Sequence, residues 1–364
     1  AADGPPDGDA FLVGDAEGGL VLRSGGTSAR GKILYHSWDF TARVNALGAR
    51  GLRAALPEPP RRIANCLPSA DLNGGFLFTH DVCRLAGALT LPVGASVSVA
   101  DTADTLVWHR VDTLVATPAH GVQIVAALPP GHRLRNLLYL GDVLRPAQRE
   151  AVEAAVPGLT VRSLAYSTSE TGPIGYQCPH LGGGRHHLHE DAVVVEVVEE
   201  DTGRPVPDGR DGDVVVTALT GSGMALPRYR IGDRGRVEPG ECPCGSRARV
   251  LALLGRTRQS IIIDAWQVYS DAFLGALAAV GVTGPGDCQL QVRHDAADYE
   301  LTLLLAPDVP EVSADAVAAA LTTVEALRRV LTGPRCTGFA VRRCPPERFA
   351  RTGRGKVPLF YQHP

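Results

Sequence analysis

Arg23-Ser24-Gly25-Gly26-Thr27-Ser28-Ala29-Arg30-Gly31-Lys32 is the stretch on which the reading of the fold turns. Short apolar runs flank it, Val21 to Leu22 before and Ile33 to Tyr35 after, so it reads as a loop between two strands. Glycines let a backbone approach an anion, successive amides and Ser/Thr hydroxyls donate to phosphate oxygens, and Lys32 adds a point charge. The bland alternative is an ordinary glycine-rich hairpin. A P-loop NTPase is another, because Gly26 to Lys32 satisfies G-x4-G-K. That alternative fails twice. Ile33 stands where Ser or Thr would hold magnesium, and an apolar β-like run follows where a helix is needed.

The rest of the composition narrows the class. The chain has 364 residues, with 41 Gly and 27 Pro for turns and 45% hydrophobic residues for a core, enough for one large and one smaller domain. Its 36 basic and 39 acidic residues leave a charge of −3, which offers no global attraction to nucleic acid or to an anionic membrane. No apolar run reaches the length of a membrane span. Ala1 to Asp9 is acidic and Pro/Gly-rich, unlike a secretory leader, so the expected location is cytoplasmic and the eight cysteines are not expected to form a disulfide framework. Only two basic residues are lysine, Lys32 and Lys356; the other 34 are arginine. A compact ammonium on a flexible stem does what a planar guanidinium cannot, so both lysines are candidates for a specific task.

Alternating strand and helix patterns argue for α/β architecture. Thr105 to Ala116, Asn136 to Leu140 and Leu159 to Ala165 read as strands, and Arg145 to Ala155 as a helix. From Asp191 the pattern turns β-rich, with strands over Ala192 to Val198 and Gly212 to Leu219. In the tail, Ser260 to Ile263, Glu300 to Leu305 and Gly338 to Arg342 read as strands, and Asp271 to Val280 and Ala314 to Leu331 as helices. The expectation is a large α/β N-terminal domain with an added β-rich subdomain (1–257), joined by a hinge to a small α+β C-terminal domain (258–364).

Four further stretches fall in a telling order. Together with the glycine-rich loop, Tyr166-Ser167-Thr168-Ser169-Glu170, Tyr229-Arg230-Ile231-Gly232-Asp233, Leu254-Gly255-Arg256-Thr257-Arg258 and Arg351-Thr352-Gly353-Arg354-Gly355-Lys356 resemble the motifs of adenylate-forming enzymes, specifically the phenylacetate–CoA ligase branch. The matches run from about residue 21 to 357, and both lysines fall in the two loops where that family uses lysine. The resemblance implies attack of a carboxylate on the α-phosphate of ATP, release of pyrophosphate, and transfer of the acyl group from the adenylate to CoA. By the same resemblance Lys32 and the Ser24, Gly25, Gly26, Thr27 and Ser28 loop would hold phosphates. Glu170 would hold magnesium, Asp233 the ribose hydroxyls, and Arg256 would sit near the ribose. Tyr166 and Ser169 would line the nucleotide site, Arg258 would act as the hinge, and Lys356 would bridge carboxylate and α-phosphate. An acyl pocket is implied at Gly74, Gly75, His80, Gly141, Ala165 and Gly172, with aromatic acids as the family's usual substrates.

Cys242-Pro243-Cys244 is a tight C-x-C, and Cys178, His180, His186, His187 and His189 lie upstream, so four ligands for tetrahedral zinc can be assembled. Relatives of the branch carry a Cys, an H-x-x-E-D and a later C-x-C. That implies Cys178, His187, Cys242 and Cys244, with His180 as the runner-up and a structural role for the metal. The chain departs from the family pattern in places. Ser167 replaces a glycine, Arg258 an acidic residue or lysine, and Ala265 a glycine near the acceptor path; the phosphate loop also begins early in the chain. Alternatives remain open for the acceptor: an amine, a carrier protein, or a hydroxyl that is itself adenylylated. A homodimer is an open assembly. A nucleotide-binding regulatory protein and a nucleic-acid-binding zinc protein are the readings from other classes.

Overall fold

Ser37 closes one element and opens the next. In the computed structural model, which describes residues 18–24, 32–69, 72–144, 146–219, 226–239, 241–256, 260–282, 284, 286–350 and 357–363, strands Gly19–Ser24 and Lys32–Ser37 form a two-stranded sheet. The Ser37 side chain then accepts the Phe40 amide at 3.1 Å and caps helix Trp38–Ala55. Asp39 in its first turn and Arg53 in its last suit the helix dipole. Phe40, Val44, Gly48 and Leu52 recur at helical spacing and are buried. A β-carbon on Gly48 would lie 2.5 Å from Phe78 and Val82, so helix Gly75–Leu85 packs against this helix at the glycine.

The chain divides into two compact units. One runs through Ile33–Gly255 and includes the 19–24 strand; the other runs through Arg256–Pro364.

The first unit is built on a five-stranded parallel sheet in the spatial order Leu89–Pro92, Arg62–Asn65, Thr113–Ala116, Asn136–Tyr139, Thr160–Ser163. Thr113–Ala116 and Asn136–Tyr139 are buried at every position, as expected of parallel strands covered on both faces. The order reverses direction between 62–65 and 113–116, and open sheets of this kind take ligands beyond the strand carboxyl ends at such a point. The strand expected over Thr105 to Ala116 is shorter. Thr105 to Trp108 belong instead to helix Val99–Trp108, whose Thr102, Ala103 and Leu106 are buried at helical spacing and whose start is capped by Ser98.

A seven-stranded sheet follows, in the order Val193–Val198, Gly212–Ala218, Tyr229–Glu238, Val250–Arg256, Arg185–Leu188, Gly172–Tyr176, Tyr166–Thr168. The β-rich region thus begins at Tyr166, not at Asp191. Its first three strands are short and carry Gly, His and Ser in place of a Val-rich run, which hides them from pattern reading.

In the second unit, Ser260–Ile263 and Trp266–Tyr269 form a hairpin, and a four-stranded sheet runs Cys336–Arg343, Asp298–Leu305, Cys288–Asp295, Phe360–Gln362. Phe273, Leu277, Leu290, Leu301, Leu303 and Val317 fill its core. The single helix expected over Ala314 to Leu331 is two, Ala314–Leu321 and Glu325–Thr332, because Thr322 caps the first and Val324 turns extended, at φ −96° and ψ 120°, before the second. Among the described residues, no helix is long and apolar enough to cross a membrane.

Candidate active site and metal cluster

Glu170 sits in the tight turn between strands Tyr166–Thr168 and Gly172–Tyr176. The Thr168 hydroxyl accepts the Thr171 amide at 3.1 Å and closes that turn. Strand Tyr229–Glu238 alternates, so Tyr229, Ile231 and Asp233 share one face. Two hydrogen bonds then cross between the motifs. Tyr166 donates to Asp233 Oδ2 at 2.7 Å, and Tyr229 donates to Glu170 Oε1 at 2.9 Å. The tyrosine of each motif holds the acid of the other. Both carboxylates are largely buried, with Glu170 at 9% and Asp233 at 7% exposure, so a phenol orienting each is worth more than it would be in water. The Tyr166 ring is buried in the core of the seven-stranded sheet, among Ile174, Ile231 and Leu251.

A β-carbon on Gly75 would face Leu67 and Leu140, each at 4.0 Å, and Leu67, Leu140 and Ala165 belong to one apolar cluster. Asn65 donates to the Phe76 carbonyl at 3.0 Å and accepts the Leu67 amide at 3.3 Å. The other glycines have packing reasons. A β-carbon on Gly74 would come within 2.8 Å of Leu22, and one on Gly172, at a φ of +71°, within 2.4 Å of Val44. Gly141 turns at φ +93°, and His80 is exposed. Ser24 and Lys32 bound the loop between the first two strands and Arg256 ends Val250–Arg256. Gly25, Gly26, Thr27, Ser28, Arg258 and Lys356 lie outside the described residues.

The sulfur and imidazole donors converge. One donor atom each from Cys178, His187, Cys242 and Cys244 lie within 4.8 Å of one another. Cys178 Sγ and Cys242 Sγ are 3.6 Å apart, far beyond a disulfide bond, and Cys244 Sγ is 3.2 Å from His187 Nε2. His187 Nδ1 faces the Ala248 carbonyl at 3.1 Å, a bond that places the proton on Nδ1 and leaves Nε2 as the ligand atom. The Ser246 amide donates to Cys244 Sγ at 3.4 Å. Burial pushes the Cys178 thiol up to about 11, so a cation is needed for that sulfur to be a thiolate at neutral pH. Neighbouring histidines are otherwise engaged. On the same strand His186 turns to the opposite face, where its ring lies 5.5 Å from that of Tyr166. His189 bonds Arg50 at 2.6 Å and stacks on Tyr176, and His180 is exposed.

No protein-family model matches the chain. The phenylacetate-coenzyme A ligase of Thermus thermophilus is 28% identical over 332 residues, which cover 87% of this chain and 74% of that protein. Among solved structures, 2-hydroxyisobutyryl-CoA ligase in complex with 2-HIB-AMP and CoA superposes with a TM-score of 0.76 at 22% identity, covering 99% of this chain and 77% of that one. The amide bond synthetase McbA of Marinactinospora thermotolerans superposes with a TM-score of 0.59 at 18% identity over 93% of this chain and 67% of that one. The chain is thus similar in sequence to phenylacetate-coenzyme A ligase and in fold to 2-hydroxyisobutyryl-CoA ligase.

Two further features leave no mark in the sequence. In the sequence Tyr229 is only the start of its motif, whereas its bond to Glu170 spans 59 residues. His36, in strand Lys32–Ser37, was not singled out. Its Nε2 lies 2.7 Å from the Ser169 carbonyl, and burial holds its pKa below the ordinary value against the opposing pull of that carbonyl and of Glu170. Neither long-range partner leaves a local signal.

Proposed function

We propose that this chain activates an apolar carboxylic acid, aromatic by family habit, as its acyl-adenylate and then passes the acyl group to CoA. The reciprocal pair of tyrosine–carboxylate bonds carries the reading, because it gives Glu170 and Asp233 fixed orientations on facing elements. Asp233 would accept hydrogen bonds from the ribose hydroxyls, a bidentate task suited to a carboxylate. Glu170 would hold magnesium through a hard oxygen, and the ion would neutralise phosphate charge. Lys32 and Lys356 would grip the triphosphate. A substrate carboxylate oxygen attacks the α-phosphorus, the bond to the pyrophosphate oxygen breaks, and Lys356 offsets the charge that develops between them. Rotation of the second unit about Arg258 would separate this step from thioester formation. Gly75, Leu67, Leu140 and Ala165 supply an apolar surface for the acyl group.

We also propose that Cys178, His187, Cys242 and Cys244 bind one structural zinc ion. Sulfurs at the corners of a zinc tetrahedron stand about 3.8 Å apart for zinc–sulfur bonds of about 2.3 Å. The 3.6 Å between Cys178 and Cys242 fits that spacing, and four protein ligands leave no open position for catalysis.

A second acceptor, an amine in place of CoA, is favoured by one observation. Ala265 adopts φ 66° in the two-residue turn between strands 260–263 and 266–269, a region glycine prefers, and its methyl group is extra bulk near the expected acceptor path. Pyrophosphate release measured across a panel of aromatic and aliphatic acids, with and without CoA, tests both readings. Acid-dependent release with a CoA thioester as product supports the first. Release that CoA neither accelerates nor captures replaces CoA by another acceptor, and absence of release with every acid removes the activity altogether.

A further inference from the structure

His36 occupies an inward position of strand Lys32–Ser37, at 7% exposure, in the alternation that also buries Leu34. An imidazole in such a place must find a partner or lose its hydration uncompensated. Its partner is the Ser169 carbonyl, 133 residues away, to which Nε2–H donates at 2.7 Å. The ring is further fixed edge-on to Phe40, with centroids 4.7 Å apart at 84°.

The bonded carbonyl matters because the Ser169 C=O and the Glu170 N–H belong to one planar peptide unit. Holding the carbonyl fixes the direction in which the chain enters Glu170. The same turn is restrained from its other end, where Gly172 lies against Val44 and a β-carbon would come within 2.4 Å, and within by the Thr168 hydroxyl bond to the Thr171 amide at 3.1 Å. Tyr229 holds the Glu170 carboxylate itself at 2.9 Å. His36 supplies the remaining link. It sits four residues beyond Lys32 on the strand leaving the glycine-rich loop, so it joins that strand to the turn bearing Glu170.

We propose that His36 is a positioning residue that presets Glu170 for a divalent cation by fixing the Ser169–Glu170 peptide from the strand behind the phosphate loop. The proposal rests on the reading of Glu170 as the magnesium ligand. A leucine would fill the volume but leave the Ser169 carbonyl without this donor.

The test compares the full chain with His36→Gln, which keeps an N–H donor of similar reach, and His36→Leu, which keeps volume without the donor. Binding of Mn2+ in the presence of ATP is read by the paramagnetic signal of free Mn2+, beside the Mg2+ concentration for half-maximal pyrophosphate release and the KM for the acid. Loss of an outer partner of a metal ligand weakens metal binding by about tenfold or more. The Leu variant is therefore expected to need about tenfold more Mn2+ and Mg2+, with a lower kcat and an unchanged acid KM, and the Gln variant to recover most of the loss. Unchanged metal dependence in the Leu variant overturns the proposal, as does a Gln variant no better than Leu. If the Leu variant does not fold, His36→Asn, whose shorter amide cannot reach the carbonyl, takes its place under the same criteria. A wild-type chain that binds Mn2+ with ATP yet releases no pyrophosphate refutes the activity while leaving His36 to be judged by metal binding. One that binds no Mn2+ with ATP refutes both.

Discussion

The Tyr166 hydroxyl donates to Asp233 Oδ2 at 2.7 Å across 67 residues of sequence. Tyr166→Phe keeps the buried ring and removes the donor. A hydrogen bond to a charged group contributes about 1.5–3 kcal/mol, so a partial loss of Asp233 orientation should raise the KM for ATP by about tenfold while the acid KM holds. Steady-state kinetics with ATP varied checks it, and an unaltered ATP dependence would show that Asp233 is held well enough without the phenol.

Zinc should be present at one ion per chain after washing with a weak chelator, and Cys178→Ala or His187→Ala should release it, as read by elemental analysis. Because burial holds the Cys178 thiol at about 11, binding must displace its proton. Affinity should therefore rise with pH, and a competition titration at pH 6 and pH 8 should give the tighter binding at pH 8. Equal affinity at the two values would mean that no buried thiol gives up a proton.

His186 and His189 set a pH limit on stability. Burial pulls both to about 4, helped at His189 by the Arg50 guanidinium. In the unfolded chain each titrates near the ordinary 6.5. Between those values the unfolded chain binds more protons, so stability is complete above about 6.5 and declines as pH falls toward 4. At pH 5 the loss is about 2 kcal/mol per histidine. Urea unfolding at pH 7.5 and pH 5 measures it, and His186→Phe should flatten the dependence. Identical pH profiles for the variant and wild type would assign the acid sensitivity elsewhere.

Ala265→Gly should behave unlike most glycine substitutions. Glycine in place of alanine ordinarily costs about 0.5–1 kcal/mol, but at φ 66° the strain relieved is of similar size or larger. The melting temperature should hold or rise. If the methyl group narrows an acceptor path, CoA-dependent product formation should increase in this variant. A drop in melting temperature would place the strain elsewhere in the turn.

The Cys/His cluster was legible in two steps: C-x-C on a Pro/Gly turn marks Cys242 and Cys244, and the resemblance to the phenylacetate–CoA ligase branch, with its Cys and H-x-x-E-D, adds Cys178 and His187, and the four converge. Tyr166, Glu170 and Asp233 were legible through their motifs, although the bonds between them were not. The tail strands expected over 260–263, 300–305 and 338–342 are found over 260–263, 298–305 and 336–343. The helix Val99–Trp108 was misread because Thr-Leu-Val suggests a strand, whereas a Ser98 cap and Thr105 Oγ1 bonding back to the Asp101 carbonyl at 2.7 Å accommodate those residues in a helix. His36 stayed hidden because a partner 133 residues away, contributing a main-chain oxygen, imposes no pattern on either stretch.

His186 and His187 are consecutive, yet one reaches the aromatic wall beside Asp233 and the other the three thiols. Sliding strand Arg185–Leu188 by a single rung against Val250–Arg256 would exchange those destinations and leave the cysteines facing the wrong side chain. Only one alignment of the two strands lets the four donors meet. An ion held by these four donors would act as a ratchet pawl for the whole ribbon of strands, denying it the slippage to which such short, glycine-bearing segments are prone.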